Sequence, residues 1–138
     1  MKKASILAIF FLLAVLLTAC GGSNEIVGKT WQWEAFQDTA DMNNVTVSDP
    51  ENYTLTLNKD GTANIQADCN QVAWTYELED SRLTFDNTGP ATLAMCAEGS
   101  LDQQFLERLG YTVTFVIKDG KLYLNLFADA GNLVFQAE

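Results

Sequence analysis

Apolar side chains recur at every second position along most of the chain after residue 30. This period is typical of β-strands that bury one face. Eight stretches carry it, and the sequence therefore predicts about seven or eight short antiparallel strands. The side chains predicted to face inward are Trp31, Trp33, Ala35, Tyr53, Leu55, Leu57, Ala63, Ile65, Ala67, Cys69, Trp74, Tyr76, Leu78, Leu83, Phe85, Tyr111, Val113, Phe115, Ile117, Leu122, Leu124, Leu126, Leu133 and Phe135.

Tight turns are predicted between several of these stretches. Lys59-Asp60-Gly61 and Lys118-Asp119-Gly120 both contain Asp-Gly, which readily adopts the positive φ that hairpin turns require. Glu79-Asp80-Ser81 is a third turn signal. The strands on either side of each turn are therefore expected to pair as antiparallel hairpins.

The period changes to that of a helix near residue 100. Ser100 is a candidate N-cap with Gln103 three residues later, and Gly110 is a candidate end. Between them the apolar positions fall on one stripe, formed by Leu101, Phe105, Leu106 and Leu109.

One folded domain is expected, because 138 residues are too few for two domains of ordinary size. A sheet with one apolar face must curl or close to bury that face, and the helix can cover an end or an edge. The predicted fold is therefore mainly β (α+β), a single antiparallel, partly closed β-barrel-like sheet of about 7–8 strands with one helix.

The first residues have the layout of an export signal. Lys2 and Lys3 precede an apolar run over residues 6–17, which is shorter than the roughly 20 residues that span a bilayer. Leu17-Thr18-Ala19-Cys20 resembles the bacterial lipobox, whose cysteine becomes the lipid-modified first residue. An ordinary secretory signal with an incidental cysteine is the alternative.

The lipobox resemblance sets the predicted organisation and location. Residues 1–19 are a lipoprotein signal peptide, residues 20–28 a lipidated flexible tether, and residues 29–138 the folded domain. The mature protein is expected to be exported and lipid-anchored at Cys20 to a membrane of the cell envelope, either the outer membrane or the cell surface.

The mature chain is strongly acidic. Removal of residues 1–19 takes away Lys2 and Lys3, which leaves six basic and eighteen acidic side chains and a formal charge of −12. Such a charge opposes binding to nucleic acid and to anionic headgroups. It suits a cationic partner or divalent ions, and it also suits simple solubility outside the cell.

Cys69 and Cys96 are the two cysteines that remain once Cys20 carries lipid. An even pair in an oxidising compartment predicts a disulfide between them. A zinc site is the weaker alternative, because it requires four soft ligands and the sequence has no histidine.

No catalytic site is predicted. The absence of histidine excludes Ser-His-Asp and Cys-His catalysis. Carboxylate pairs for glycoside cleavage would have to come from Glu77, Glu79, Asp80, Asp86, Asp102 and Glu107. Glu77, Glu79 and Asp80 lie in or beside a predicted turn or on the polar side of a strand, where a solvated acid is the default. The three tryptophans suit either core packing or a ligand pocket. No cofactor and no metal site are predicted.

Several stretches taken together resemble the META domain, the HslJ-like family. They cover almost all of the mature chain from near Trp31, and their order carries the resemblance: a Cys-Asn pair, a Tyr seven residues later, a Thr-x-x-Met-Cys and a Phe-x-x-x-Leu. The stretches are DGTANIQADCNQVAWTY (60–76), TLAMC (92–96), LDQQFLERLG (101–110), KDGKLYLNL (118–126) and NLVFQ (132–136). The matching positions are Cys69, Asn70, Tyr76, Thr92, Met95, Cys96, Phe105 and Leu109.

Two positions depart from the family pattern. Asp68 and Trp74 stand where many members have glycine. The resemblance implies an antiparallel β-rich domain with a helix, of a kind found in envelope lipoproteins and in proteins associated with heat shock, secretion or motility. It implies no established reaction and assigns no role to Asn70, Tyr76, Thr92 or Met95. Asn70 also suits a purely structural place in a turn.

The functional hypothesis is a lipid-anchored, non-enzymatic envelope protein that acts as a binding module linked to stress response. Its expected partners are the membrane, through the anchor, and an envelope protein or small ligand of unknown identity, with no nucleic acid. The alternatives are a lipocalin-like carrier of a small apolar ligand and an acidic inhibitor of a cationic envelope-targeting hydrolase.

Overall fold

The computed structural model describes residues 25–138. The predicted signal peptide, Cys20 and the first part of the tether lie outside the described residues. Nine strands and one α-helix are complete within this range. They are β1 Thr30–Asp38, β2 Val45–Thr46, β3 Tyr53–Leu57, β4 Thr62–Ala67, β5 Asn70–Glu79, β6 Arg82–Asp86, α1 Asp102–Gly110, β7 Thr112–Lys118, β8 Lys121–Leu126 and β9 Gly131–Ala137.

Eight of the strands form a closed antiparallel barrel. β1 and β3 to β9 neighbour one another in chain order, and β9 returns to pair with β1 from Trp31↔Ala137 to Asp38↔Gly131. β2 pairs with the second half of β1, beyond the part that pairs with β3. The predicted fold is confirmed, and the closure is complete rather than partial because β1 shares pairing with both β3 and β9.

Bulges in two strands change which residues face inward. In β1 the pairing with β9 shifts between Trp33 and Ala35, so Phe36 is buried in place of the predicted Ala35. A one-residue shift exchanges the two faces of a strand, which an unbroken period of two cannot anticipate.

A similar bulge occurs in β7, between Thr112 and Thr114. Thr112 is buried at the start of this strand, Val113 is only half-buried, and the predicted inward residue Tyr111 is exposed. The alternating pattern was therefore wrong at the beginning of β7 and correct again at Phe115.

The barrel has two unlike ends. At the turn end, defined by residues 57–62, 79–82 and 118–121, the strands are joined by tight turns. Asp119 and Gly120 both have positive φ, as a two-residue hairpin turn requires. At the opposite end, called the helix end, lie the connections 39–52, 68–69, 87–111 and 127–130.

The N-terminal segment closes the turn end. Ile26 is fully buried, and its carbonyl accepts a hydrogen bond from the indole Nε1 of Trp31 at 3.0 Å. Val27 forms a parallel bridge with Leu57, to whose carbonyl the Gly28 N–H donates at 2.8 Å. Residues 26–28 of the predicted tether, which was placed at residues 20–28, therefore contact the barrel. A buried indole needs a hydrogen-bond acceptor, and the Ile26 carbonyl supplies it.

Helix α1 closes the helix end. The ring of Phe105 stacks on Trp33 with centroids 5.0 Å apart, and Tyr53 meets Phe105 edge-on at 5.8 Å. The helix is confirmed, but its start differs from the predicted capping box. Leu101 occupies the N-cap position, and Ser100 Oγ accepts a hydrogen bond from the Asp102 N–H at 3.2 Å while Gln103 is exposed.

The core is continuous from Ile26 to Phe135, and Trp31, Trp33 and Trp74 all lie in it. Residues 25–138 therefore contain a complete domain core of the kind that folds as an independent unit. Between Glu25 and Glu138 the chain has no helix of the length and hydropathy needed to cross a membrane.

Candidate binding site

A strap, residues 90–96, runs along the first half of β5 on the edge that β6 leaves open. The Ala73 N–H donates to the Pro90 carbonyl and the Thr92 N–H to the Gln71 carbonyl, both at 2.9 Å. Gly89 allows this close approach, because a Cβ there would lie 1.9 Å from the Ala73 carbonyl oxygen. The strap is thus fixed to the barrel as a short additional pairing.

Asn70 fastens the strap at its far end. Its Oδ1 accepts hydrogen bonds from the Ala94 N–H at 2.8 Å and the Thr92 hydroxyl at 3.2 Å. Its Nδ2 donates to the Ala94 carbonyl at 3.0 Å and to Asp102 Oδ2 at 3.2 Å. The buried amide therefore pairs with both backbone groups of Ala94, as a neighbouring strand would, and also ties the strap to α1.

The predicted disulfide between Cys69 and Cys96 is confirmed and closes the same region. It joins the β4–β5 turn to the end of the strap, where Asn70 Nδ2 lies 3.4 Å from Cys96 Sγ. Asp68 in that turn has a φ of +54°, a region that glycine adopts without strain.

The structure brings five of the predicted positions together and leaves the others apart. Cys69, Asn70, Thr92, Met95 and Cys96 all belong to the strap and its fastening. Phe105 and Leu109 are core residues of α1. Tyr76 lies toward the turn end, where its hydroxyl donates to the Asn58 carbonyl at 2.7 Å. Partial burial, and next the charge of Asp60, raise the pKa of Tyr76.

Met95 and its neighbour Leu93 point into solvent. They are 99% and 93% exposed, although the strap that carries them is firmly fixed. Sequence reasoning singled out Met95 through the family pattern but missed Leu93. The only signal for Leu93 was its place as an apolar residue in a loop without strand or helix periodicity.

Arg108 is a second feature that the sequence did not reveal. Its guanidinium carbon lies 4.0 Å from the centroid of the Phe36 ring, which the bulge in β1 turns inward. Burial lowers the pKa of Arg108, while the charges of Glu107 and Asp38 oppose that change. Arg108 is the one basic side chain of α1. Because its guanidinium packs on Phe36, it is less available to an external anion.

Two depressions border the strap. A groove of about 580 Å³ lies over the outer faces of β3, β4 and β5 and is lined by uncharged side chains, among them Thr54, Gln66 and Gln71. A smaller one of about 280 Å³ lies between Met95 and Gln103. Among residues 25–138 no three Cys, Asp or Glu side chains converge as a candidate metal site.

Replacement of Asn70 by alanine is expected to lower the free energy of unfolding by about 2 kcal/mol, because it removes the two hydrogen bonds that join a buried side-chain amide to the backbone of Ala94. Urea denaturation measures this change. Gln71→Ala, at an exposed position of the same strand, is the control and should change it by less than about 0.5 kcal/mol. Equal effects of the two substitutions would contradict the role given to Asn70.

The chain is similar to solved bacterial structures of low sequence identity. A protein from Burkholderia xenovorans, solved by NMR, superposes with a TM-score of 0.65 at 22% identity, covering 89% of this chain and 94% of that one. A crystal structure of a duf4847 family protein from Bacteroides vulgatus gives 0.62 at 15% identity, covering 84% and 96%. At these identities the likeness shows the fold alone.

No curated protein matches the sequence. The family resemblance read from the motifs is confirmed, since the META domain pattern matches residues 24–138. Because this match includes the whole barrel, the strap and the disulfide, the chain belongs to the META domain family.

Proposed function

We propose that the protein is a lipid-anchored, non-enzymatic binding module of the cell envelope that docks another protein. The observation that carries the proposal is the placement of the chain on the barrel. The N-terminal segment joins the turn end through Ile26, and the strap with its exposed side chains lies at the helix end. An anchor at Cys20 would thus hold the turn end to the membrane and present the helix end outward.

The distances fit this orientation. From Cys20 to Ile26 the chain can reach at most about 20 Å, so the turn end would stay close to the lipid. A six-residue strand such as β8 spans roughly 20 Å, which carries the helix end well beyond the headgroups. Acyl chains on Cys20 would make the attachment lasting, because each buried methylene contributes about 0.8 kcal/mol.

The filled interior favours a docking module over a carrier of small apolar ligands. Trp33, Tyr53 and Phe105 occupy the helix end of the barrel, where a lipocalin-like carrier would have its mouth. An inhibitor of a cationic hydrolase remains a second candidate, favoured by the excess of acidic side chains. We assign the module to the response to envelope stress. The resemblance to the META domain family, which is associated with heat shock, supports this assignment.

The anchor is tested by expressing the full chain in a bacterium that is fed an alkyne-labelled palmitate. The wild-type protein is expected to carry label and to sediment with membranes. Cys20→Ala should lose the label, and the pair Cys69→Ser and Cys96→Ser should retain it. A wild-type protein that is exported, soluble and unlabelled would overturn the anchoring. For the inhibitor, a titration of lysozyme that leaves its activity unchanged would remove that candidate.

A further inference from the structure

We infer that the helix end is a docking surface for a cationic, amphipathic protein segment. This inference deepens the proposed function and rests on it. Among the described residues six large apolar side chains are exposed, and five of them lie in connections at the helix end. Those five are Met42, Leu93, Met95, Tyr111 and Phe127. The sixth, Val116, lies on the outer face of β7.

These side chains are carried by connections that are joined to one another or fixed to the barrel. The Phe127 N–H donates to the Tyr111 carbonyl at 2.9 Å, which joins the two connections that carry these aromatic residues. The Thr39 hydroxyl donates to the Asp129 carbonyl and links the loop of Met42 to that of Phe127. Leu93 and Met95 are held by Asn70 and the disulfide. Fixed apolar anchors reduce the entropy lost when a partner binds.

Charge is divided very unevenly between the two ends. The helix end carries ten carboxylates and one basic side chain, Arg108, which packs on Phe36. The other five basic side chains of the described residues lie at or near the turn end: Lys29, Lys59, Arg82, Lys118 and Lys121. The carboxylates of the helix end are Asp38, Asp41, Asp49, Glu51, Asp68, Asp86, Glu98, Asp102, Glu107 and Asp129.

This division selects the occupant. Anionic lipid, nucleic acid and a second copy of the same acidic end would all be repelled by the ten carboxylates. A basic segment with an apolar face would meet opposite charge around the exposed methionines, leucine and aromatic rings. Methionine side chains adapt to differently shaped apolar faces, so the surface suits a segment recognised by pattern rather than by one fixed shape.

The test uses residues 24–138, which contain the complete core, and a fluorescently labelled 14-residue amphipathic peptide of leucine and lysine. A matched peptide with glutamate in place of every lysine is the charge control. Fluorescence anisotropy should show binding of the lysine peptide that weakens as salt is raised, and at least 100-fold weaker binding of the glutamate peptide.

Matched variants locate the surface. The pair Leu93→Ser and Met95→Ser should weaken binding at least tenfold, while Val116→Ser leaves it unchanged. The pair Glu98→Gln and Glu107→Gln should weaken it several-fold, and more than Glu77→Gln with Glu79→Gln on β5. Circular dichroism verifies the fold of each variant. Amide shift changes in the wild-type protein give an independent map, expected to centre on residues 91–96 and 126–129.

Several outcomes would overturn the inference. They are no binding of the lysine peptide, equal binding of both peptides, shift changes centred on the turn end, and a stable dimer or adhesion to anionic vesicles through the helix end. Because this segment lacks Cys20, loss of the anchoring proposal would leave these measurements unaffected. If Cys20 is acylated and the lysine peptide does not bind, the docking surface is overturned and the anchoring proposal stands.

Discussion

Replacement of Phe105 by alanine will lower the free energy of unfolding by about 4 kcal/mol, as expected for a large aromatic side chain removed from a packed core. Phe105 is fully buried, and its ring contacts Trp33, Tyr53 and Phe135 at centroid distances of 5.0, 5.8 and 6.1 Å. These four aromatic residues come from α1, β1, β3 and β9. The truncation therefore opens a cavity at the point where the helix joins three strands of the barrel.

Urea denaturation of residues 24–138 measures this loss. Leu106→Ala is the matched control on the same helix, because Leu106 is only partly buried at the edge of the core, and its cost should be about 1.5 kcal/mol or less. Similar losses for the two substitutions would show that the helix does not close the barrel through Phe105.

The sequence predicted most of the fold because the barrel follows simple rules of period. The alternation from Tyr53 to Leu57 and from Leu122 to Leu126 maps directly onto buried positions of β3 and β8. The stripe of Phe105 and Leu109 predicted the helix and its buried face. Complete closure was not predictable, because it depends on the pairing of β1 with β9 across most of the chain.

The errors arose where a local pattern is modified by distant pairing. The bulge between Trp33 and Ala35 forms against β9, and the bulge between Thr112 and Thr114 forms against β8. The sequence of one strand contains no sign of its partner's register. Ile26 was assigned to the flexible tether of residues 20–28, yet its side chain is fully buried at the turn end.

The candidate site could be predicted only in part. The cysteine count identified the disulfide, and the family pattern identified Asn70, Thr92 and Met95. The interaction of Asn70 with Ala94 was hidden, because a side chain that substitutes for a strand leaves no periodic signal. The charge division was also hidden, since five of the six basic side chains of the described residues come together near the turn end only after folding, which leaves the carboxylates of the helix end with Arg108 alone.

Removal of the disulfide by the pair Cys69→Ser and Cys96→Ser will lower the free energy of unfolding by about 3.5 kcal/mol, from the chain entropy released in a loop of this length. The bond spans a sequence separation of 27 residues, which includes β5, β6 and the strap. Reduction of the wild-type protein should produce a similar loss, and the same reductant should leave the double variant unchanged. A loss below about 1 kcal/mol would mean that the unfolded chain gains little freedom without the bond.

The disulfide and Asn70 hold the same end of the strap, so their effects should not add. Once the disulfide is absent, the strap can move away from Asn70, and Asn70→Ala should then cost less than in the oxidised protein. The same double cysteine variant should bind the lysine peptide at least fivefold more weakly, because Leu93 and Met95 are no longer held in place. Additive losses of stability with unchanged peptide binding would show that the strap keeps its position through the Gln71 and Ala73 backbone bonds alone.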